Sequence, residues 1–584
     1  MMKNLYRNVA SSRAEAWLKK NAIPMVLFVV LLLASAPLFH SQMFLTHDFT
    51  HGARVTEMSL ALKDGHFPVR WSKNFGYGYG MPLFQFYGPL PFYLGSVFFL
   101  VVGNLLFSVK LLFFISNLFT LIGSYLLGKS IFKTKFAGLI VSLAITLVPY
   151  RFLNLYIRGA LNELWGMMAM IWIIYSLRLV ITRSKNGWVL LTSSLIVLFL
   201  SHNITTLIFA PFFLLALIVM VINSIQAGEL KKSYLKSIFN QVVVAVVLAL
   251  GTSAFYLFPA YLEKELTQFR QYILADYFDF RVHFLYLKQF IRPSWGFGGS
   301  VLGPDDPISF FLGFGQIGGL FFAGILMIKQ LLLKKKLKKL FLPISLFLLL
   351  GISLVLTTHY SLFIWEMIPL LNYVQFPWRF MSLAAIFLGL VIGWMISQLP
   401  QKSFYYQSLS ALLILLLLAN LGFVKPEGYL ENADDVYYQN QEKIQSSMSE
   451  YLPDYIPSNL STNIPPDLLL LIDEQLEGEH QVLANKTHYK QISFLLNKPQ
   501  TVSINIANYP GWNLYLNDLQ LDYATSDIGT IQADIPAGQN ILQLKFESTN
   551  LRQVSDYVSL LSLAVLLFYV SKLVIKQPQH AARN

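Results

Sequence analysis

The segment THDFTHGAR places Asp48, His51 and Arg54 three residues apart. At about 100° per residue, a helix from Asp48 to about Lys63 brings the three into one arc of roughly 120°. A carboxylate, an imidazole and a guanidinium could then face one site. The carboxylate could take a proton from a hydroxyl or hold a divalent cation, and the guanidinium could grip a phosphate with its fork of donors. An N-capping aspartate with two solvated neighbours is the plainer alternative. PYRFLNLYIRGALNE adds Arg151, Arg158 and Glu163, LSHN adds His202, and QFPWRF adds Arg379. Phosphate binding is one use for these arginines. A structural Arg158–Glu163 pair, a satisfied turn at His202 and Asn203, and an interfacial anchor at Trp378 are the others.

What positions these residues is a membrane. The chain has 584 residues, 55% of them hydrophobic and 13% charged, with a mean hydropathy of +0.53. A soluble domain carries about 25% charged residues, so a typical soluble enzyme and a long disordered chain are both excluded. Cysteine is absent, which removes disulfides, thiolate metal sites and cysteine nucleophiles. The net charge of +13 would suit nucleic acid only if spread evenly. Residues 425–552 instead carry 17 acidic and 7 basic residues, which leaves +23 on the remainder. That excess sits in short loops between apolar runs, where it orients the chain by the positive-inside rule. The lipid bilayer is the expected partner, and nucleic acid is not.

Runs of about membrane length fall at 23–39, 105–128, 136–150, 162–182, 188–201, 204–224, 239–258, 309–330, 340–357, 380–397, 404–422 and 555–575. Twelve spans put the basic loops, both termini and the tail from Lys576 on the cytoplasmic side. The first run reads as a retained signal anchor, although Ala34-Ser35-Ala36 mimics a cleavage site. Segment 86–104 is apolar enough to be a thirteenth span, but counting it would place the lysine-rich loops outside. It therefore reads as a helix in or dipping into the outer leaflet. The expected division is a transmembrane domain over 1–422 with an outer loop 42–104, an extracytoplasmic domain over 423–554, and a final helix with a cytoplasmic tail over 555–584.

Alternation in Val502-Ile504-Ile506, Leu519-Leu521-Tyr523, Ile531-Ala533-Ile535 and Leu542-Leu544-Phe546 predicts strands. Asn517-Asp518 and Pro536-Ala537-Gly538 are turn sequences. A small β-sandwich is expected over about 481–549, with 425–480 as a less regular lead-in. Gly76, Gly78 and Gly80 alternate with Tyr77 and Tyr79. With no preceding strand and no following Lys-Ser/Thr they are not a phosphate loop, and they read as an aromatic surface turn at the lipid boundary. Loop 259–308 carries Glu263, Glu265, Arg270, Asp276, Asp279, Arg281, His283 and Arg292, either as a solvated loop or as a lid.

The motifs HDFTHGAR, GHFPVRW, GYGYGMPLFQFYGPLPFYL, LYIRGALNE, LSHN, QFPWRF and EYLPDYIP, in that order, resemble the bacterial membrane family related by name to 6-pyruvoyl-tetrahydropterin synthase. Nothing here looks like the three-histidine site of the soluble synthase. The family looks like a branch of the GT-C glycosyltransferases, as do membrane proteins ending in a sandwich with a motif like Tyr509-Pro510-Gly511-Trp512. The resemblance implies a polytopic helical fold with an acidic residue in the first outer loop, matched here by Asp48. It also implies a polyprenyl-phosphate-linked sugar donor and inverting transfer to an envelope polysaccharide or glycolipid. Asp48 would be base or metal ligand, and Mg or Mn is the cofactor class it could hold. Only one acidic residue occurs there, not an Asp-Asp or Asp-x-Asp pair. The donor phosphate would be held by Arg54, Arg151, Arg158 or Arg379. A flippase or transporter of a lipid-linked saccharide and a non-enzymatic envelope scaffold are the rival readings.

Overall fold

The computed structural model describes residues 21–184, 186–273, 276–400, 403–461, 469–472 and 476–575. The basic segment before residue 21 and the tail from Lys576 lie outside these. Among the described residues, nine helices are long and apolar enough to cross a bilayer: Leu105–Phe132, Leu161–Ile181, Asn203–Gln226, Lys232–Thr252, Phe314–Leu332, Lys338–Val355, Pro377–Gln398, Phe404–Phe423 and Asn550–Lys572. Lys135–Thr146 and Pro149–Ile157 form a tenth span if joined across their 49° bend. Pro149 explains the bend, because it has no N–H for a continuing helix. With the shorter apolar helices Asn21–Ala34 and Gly187–Ser201, the twelve expected segments are all helical.

Two of them differ in detail from expectation. The run 239–258 breaks at Ser253, where Ala254–Leu262 starts a separate helix, and 309–313 is extended rather than helical. Segment 86–104 contributes the 13-residue helix Leu90–Val102. At 1.5 Å per residue that is about 20 Å, short of the roughly 30 Å hydrocarbon core.

Leu161–Ile181 and Pro377–Gln398 are the central helices, with 83% and 94% of their apolar windows buried. Leu161–Ile181 packs on Leu105–Phe132, Gly187–Ser201 and Asn203–Gln226. Met381–Gln398 packs on Lys135–Thr146, Phe314–Leu332 and Leu337–Val355. Because both are apolar all round, their polar residues can only gather near their ends. Glu163 and Arg379 sit at the two starting ends, and His202 sits before the neighbouring Asn203–Gln226.

The β-region contains two antiparallel sheets. In chain order the strands are β1 Met43–Phe44, β2 Tyr429–Leu430, β3 Gly478–Asn485, β4 Tyr489–Leu496, β5 Gln500–Ala507, β6 Trp512–Leu516, β7 Leu519–Leu521, β8 Ala524–Thr525, β9 Thr530–Ile535 and β10 Gly538–Phe546. One sheet of the β-region runs β3-β4-β10-β6-β7 and the other β5-β9-β8, while β1 and β2 pair in a separate two-stranded sheet. Each hides one face, Phe494, Leu514 and Leu544 on the first and Val502, Ile531 and Ala533 on the second. Asn517 and Asp518 take φ of 50° and 68°, the left-handed pair that a two-residue hairpin between β6 and β7 requires. Strands β3, β4, β6 and β8 add to the four strands visible as alternation.

The glycine–tyrosine turn is not on the lipid surface. Tyr77 and Tyr79 are buried, and the Tyr79 carbonyl accepts from the Ala507 N–H of β5. A Cβ on Gly76 would lie 2.8 Å from the Gly80 carbonyl oxygen, so the turn needs glycine there for close approach as well as for its φ of +70°. Glu57 holds the same stretch from below, accepting from Ser72 Oγ at 2.7 Å and Asn74 Nδ2 at 2.6 Å.

Two ion pairs, one buried and one partly buried, join distant parts of the chain. Arg552, with no exposed surface, donates Nε and Nη2 to Glu263 Oε2 at 3.0 and 2.9 Å. Arg70 pairs with Asp556 at 2.5 Å. Glu263 is thus a clasp between loop 259–308 and the last helix, not part of a lid. Removing one member of a buried pair strands the other charge, at a cost of about 3–5 kcal/mol. Arg552→Met should therefore lower the thermal unfolding midpoint markedly in detergent, and adding Glu263→Met should recover most of the loss. A single variant as stable as wild type would show that the clasp contributes nothing.

Candidate functional site

The helix that carries Arg54 begins at His51, with Thr50 as its N-cap, so Asp48 precedes it. Asp48 still joins its two neighbours, for a reason that helical periodicity does not contain. The Asp48 N–H donates to the Arg158 carbonyl at 2.9 Å, and the His47 N–H to the Ile157 carbonyl at 3.0 Å. Residues 46–51 thereby cross 157–159. Gly159 makes the crossing possible: its φ is +66°, and a Cβ there would lie 2.5 Å from Thr46 Oγ1. Its carbonyl also accepts from His51 Nε2 at 2.5 Å.

Around the Asp48 carboxylate, Arg54 Nη2 lies 3.1 Å from Oδ1 and His51 Nε2 3.4 Å from Oδ2. Thr50 Oγ1 donates to Oδ1 at 3.2 Å and the Tyr87 hydroxyl to Oδ2 at 3.3 Å. Arg54 Nη1 approaches His51 Nδ1 at 3.3 Å, which makes Nδ1 the acceptor and leaves the ring proton on Nε2. The Arg54 guanidinium also stacks over the Tyr87 ring at 4.1 Å. The Arg54 side chain is 2% exposed but that of Asp48 is 31% exposed, so the carboxylate is the member an incoming molecule can reach.

The second half of the cluster is built on Glu163, whose side chain is 2% exposed. Its Oε1 accepts from the Tyr150 hydroxyl at 2.6 Å and from Asn154 Nδ2 at 3.1 Å. Its Oε2 accepts from Arg158 Nη1 at 2.8 Å and lies 3.8 Å from Arg379 Nε. Arg158 lies flat against Trp378, its guanidinium 4.4 Å from the ring centroid. Arg379 donates Nη1 to the Val374 carbonyl at 2.6 Å, while its buried Nε has no hydrogen-bond partner.

Of the residues expected from sequence, Asp48, His51, Arg54, Arg158, Glu163 and Arg379 therefore meet at one end of the bundle. His202 caps the next helix, its Nδ1 accepting from the Thr205 N–H at 3.2 Å, and it belongs to the field around Glu163. Arg151 lies elsewhere. It is buried inside the bundle, donating Nη2 to Asn117 Oδ1 at 2.9 Å and Nη1 to the Thr146 carbonyl at 3.4 Å. The site adds His47, Tyr87, Tyr150, Asn154 and Tyr455, none singled out for a role from sequence, and Trp378, expected only as an interfacial anchor. Tyr455 closes over Tyr87 edge-on at 5.9 Å. His47 shares the motif of Asp48 and could have been suspected, but nothing local in sequence marks the tyrosines.

Burial alone would raise the Asp48 carboxyl, but Arg54 and His51 outweigh it and hold it below the ordinary aspartate range, so it stays ionised near pH 7. Burial lowers His51, and it lowers His47 to about 4 with help from Arg158, so both imidazoles are neutral near pH 7. Three arginines against two carboxylates leave the cluster with one positive charge in excess, which suits a phosphate. Among the described residues no three His, Asp or Glu side chains converge as metal ligands. Asp48 instead faces Arg54 and His51, a donor set that does not fit a divalent cation.

The fold and this cluster define a polytopic helical membrane protein with a C-terminal β-sheet region and a charged site at the loop ends of its central helices. Residues 84–424, more than half of the chain, match the family described as "6-pyruvoyl-tetrahydropterin synthase related domain; membrane protein", and the chain belongs to that family. An uncharacterized protein of Lactococcus lactis subsp. cremoris (strain MG1363) is 29% identical over 240 residues, 40% of this chain and 38% of the relative. The alignment thus spans well under two thirds of that relative's length.

Three solved structures are similar at low identity. The oligosaccharyltransferase of Archaeoglobus fulgidus in its apo form is 15% identical, covering 78% of this chain and 62% of that one, with a TM-score of 0.40. The arabinofuranosyltransferase AftD from Mycobacteria is 16% identical over 69% and 26%, with a TM-score of 0.42. ArnT from Cupriavidus metallidurans bound to undecaprenyl phosphate is 11% identical over 75% and 76%, with a TM-score of 0.37. At these values the likeness defines no reaction for this chain.

The two carboxylates should separate in stability measurements. Glu163→Gln leaves Arg158 and Arg379 short of charge in a buried setting and should cost about 3 kcal/mol or more. Asp48→Asn keeps an amide oxygen for Arg54 at a position partly open to water, so it should cost less than Glu163→Gln even though it leaves the buried guanidinium without its carboxylate. Equal shifts in the unfolding midpoint of the two purified variants would contradict this division.

Proposed function

We propose that the chain is a membrane glycosyltransferase that moves a sugar from a polyprenyl-phosphate-linked donor to an envelope polysaccharide or glycolipid on the extracytoplasmic face. In this reading the termini are cytoplasmic, and residues 423–554 form the extracytoplasmic domain that orients the acceptor. The observation that carries it is a reachable, ionised carboxylate beside buried guanidiniums with one positive charge in excess. A hydroxyl acceptor and an anionic leaving group need that combination.

The acceptor hydroxyl hydrogen-bonds to Asp48 and attacks the anomeric carbon from the side opposite the phosphate. The new carbon–oxygen bond forms as the bond to the phosphate oxygen breaks, and the phosphate departs with the electron pair. As the acceptor oxygen bonds to carbon its proton becomes strongly acidic, so it passes to Asp48 despite the lowered pKa. Arg379, with an unsatisfied Nε–H, and Arg158 offset the charge developing on the leaving phosphate. Glu163 positions these two arginines. Neutral His51, fixed by Gly159, orients Asp48.

The test is the sugar composition of envelope polymers and glycolipids from deletion cells carrying wild type or Asp48→Asn at matched expression. One sugar should vanish on deletion and return only with wild type, and in vitro the variant should lose about 10²–10⁴-fold in transfer rate. Full restoration by Asp48→Asn would overturn the base role and favour a carrier or a scaffold.

The pH dependence carries a definite sign. Asp48 works deprotonated and its pKa is held below that of an ordinary aspartate, so the acid limb of the rate profile should lie to the acid side of an unperturbed carboxylate's. In Arg54→Gln burial is less opposed, and the limb should move upward. An unmoved limb would show that Asp48 does not set it.

A further inference from the structure

A cavity of ≈ 150 Å³ lies toward the other end of the bundle, lined by Ala216, Met220, Leu342 and Phe387 among other apolar side chains. Arg178, Lys133 and Glu229 also line it. Glu163 and Arg178 stand fifteen residues apart on Leu161–Ile181, about 22 Å along the axis. This cavity is therefore separate from the Asp48 cluster.

Its polar corner is incompletely satisfied. Arg178 is 4% exposed and donates Nη1 to Ser224 Oγ at 2.8 Å, while Nη2 pairs with Glu229. Its Nε is buried without a hydrogen-bond partner. Lys133 Nζ reaches the same Glu229 at 3.2 Å from a side chain that is 57% exposed. Two cations thus share one carboxylate, and one guanidinium N–H remains unused.

Two of the helices lining the cavity, Asn203–Gln226 and Lys338–Val355, have only 33% and 39% of their apolar windows buried, so most of their remaining surface faces hydrocarbon. A ligand entering between them comes from the bilayer. Basic pockets between membrane helices take anionic lipid headgroups. The volume is below the roughly 300–1,000 Å³ of enclosed small-molecule pockets, so it admits part of one chain, with the rest of the lipid outside.

We propose that this cavity is a binding site for an anionic glycerophospholipid, with its phosphodiester at Arg178 and Lys133 and part of one acyl chain between Ala216, Leu342 and Phe387. The site is independent of the sugar-transfer reading. A prenyl-phosphate donor held here would sit a helix length from Asp48, so the phospholipid is the occupant the placement favours.

The test uses the full-length protein in nanodiscs containing phosphatidylglycerol with a photoreactive group on its acyl chain, followed by peptide mapping of the adducts. Adducts should map to 216–227, 342–349 or 387–390, and unlabelled phosphatidylglycerol should compete at least fivefold better than phosphatidylcholine. Lys133→Gln, changed at an exposed side chain, should reduce that preference at least threefold while leaving the unfolding midpoint unchanged. Adducts confined to other segments, equal competition by phosphatidylcholine, or an unchanged preference in Lys133→Gln would each overturn the proposal. Stronger competition by undecaprenyl phosphate would assign the cavity to a prenyl lipid and overturn it as well.

Discussion

Three guanidiniums, those of Arg54, Arg158 and Arg379, are held away from water at one end of an apolar bundle, and two carboxylates keep them there. A buried charge is tolerated only when paired and hydrogen-bonded, so much of the local structure follows from this need. Tyr150, Asn154, Arg158 and Arg379 converge on Glu163. Thr50, His51, Arg54 and Tyr87 converge on Asp48. The two groups are adjacent because residues 46–51 cross 157–159, so the geometry of the site rests on main-chain hydrogen bonds as much as on side chains.

The neutralisation is uneven. Glu163 spends both oxygens inside the protein, whereas Asp48 retains open surface. One carboxylate is therefore structural and the other is available, although sequence presents them as the same kind of residue beside the same kind of arginine. Arg151 makes the same point from the other side. It reads like Arg158 seven residues on, but its partners are a side-chain amide and a carbonyl inside the bundle.

Membrane architecture was legible because the bilayer imposes length and polarity on each apolar run, and all twelve expected runs are helical. The break at Ser253 and the extended 309–313 were hidden, since apolar composition does not distinguish a helix from a chain packed flat among helices. Four strands were visible as alternation, but β3 was not, because its residues are almost all exposed and carry no two-fold pattern. At the site, the spacing of Asp48, His51 and Arg54 brought together three residues that do meet, but for a reason that does not hold, since the helix begins only at His51. The approach of Gly159, the lid of Tyr455 and the cradle around Glu163 come from contacts distant in sequence, which no local pattern encodes.

The clasp at Arg552 bears on how the chain is made. Glu263 meets its partner 289 residues later in sequence, and Arg70 meets Asp556 486 residues later. During synthesis both buried charges must wait, solvated or provisionally partnered, while the β-region is completed. The last helix, with only 17% of its window buried, has little packing of its own to hold it. Its arrival is therefore the step that closes the loops around the earlier helices, and a ribosome that stalls before residue 552 leaves a chain whose membrane helices are present but whose polar end is still open.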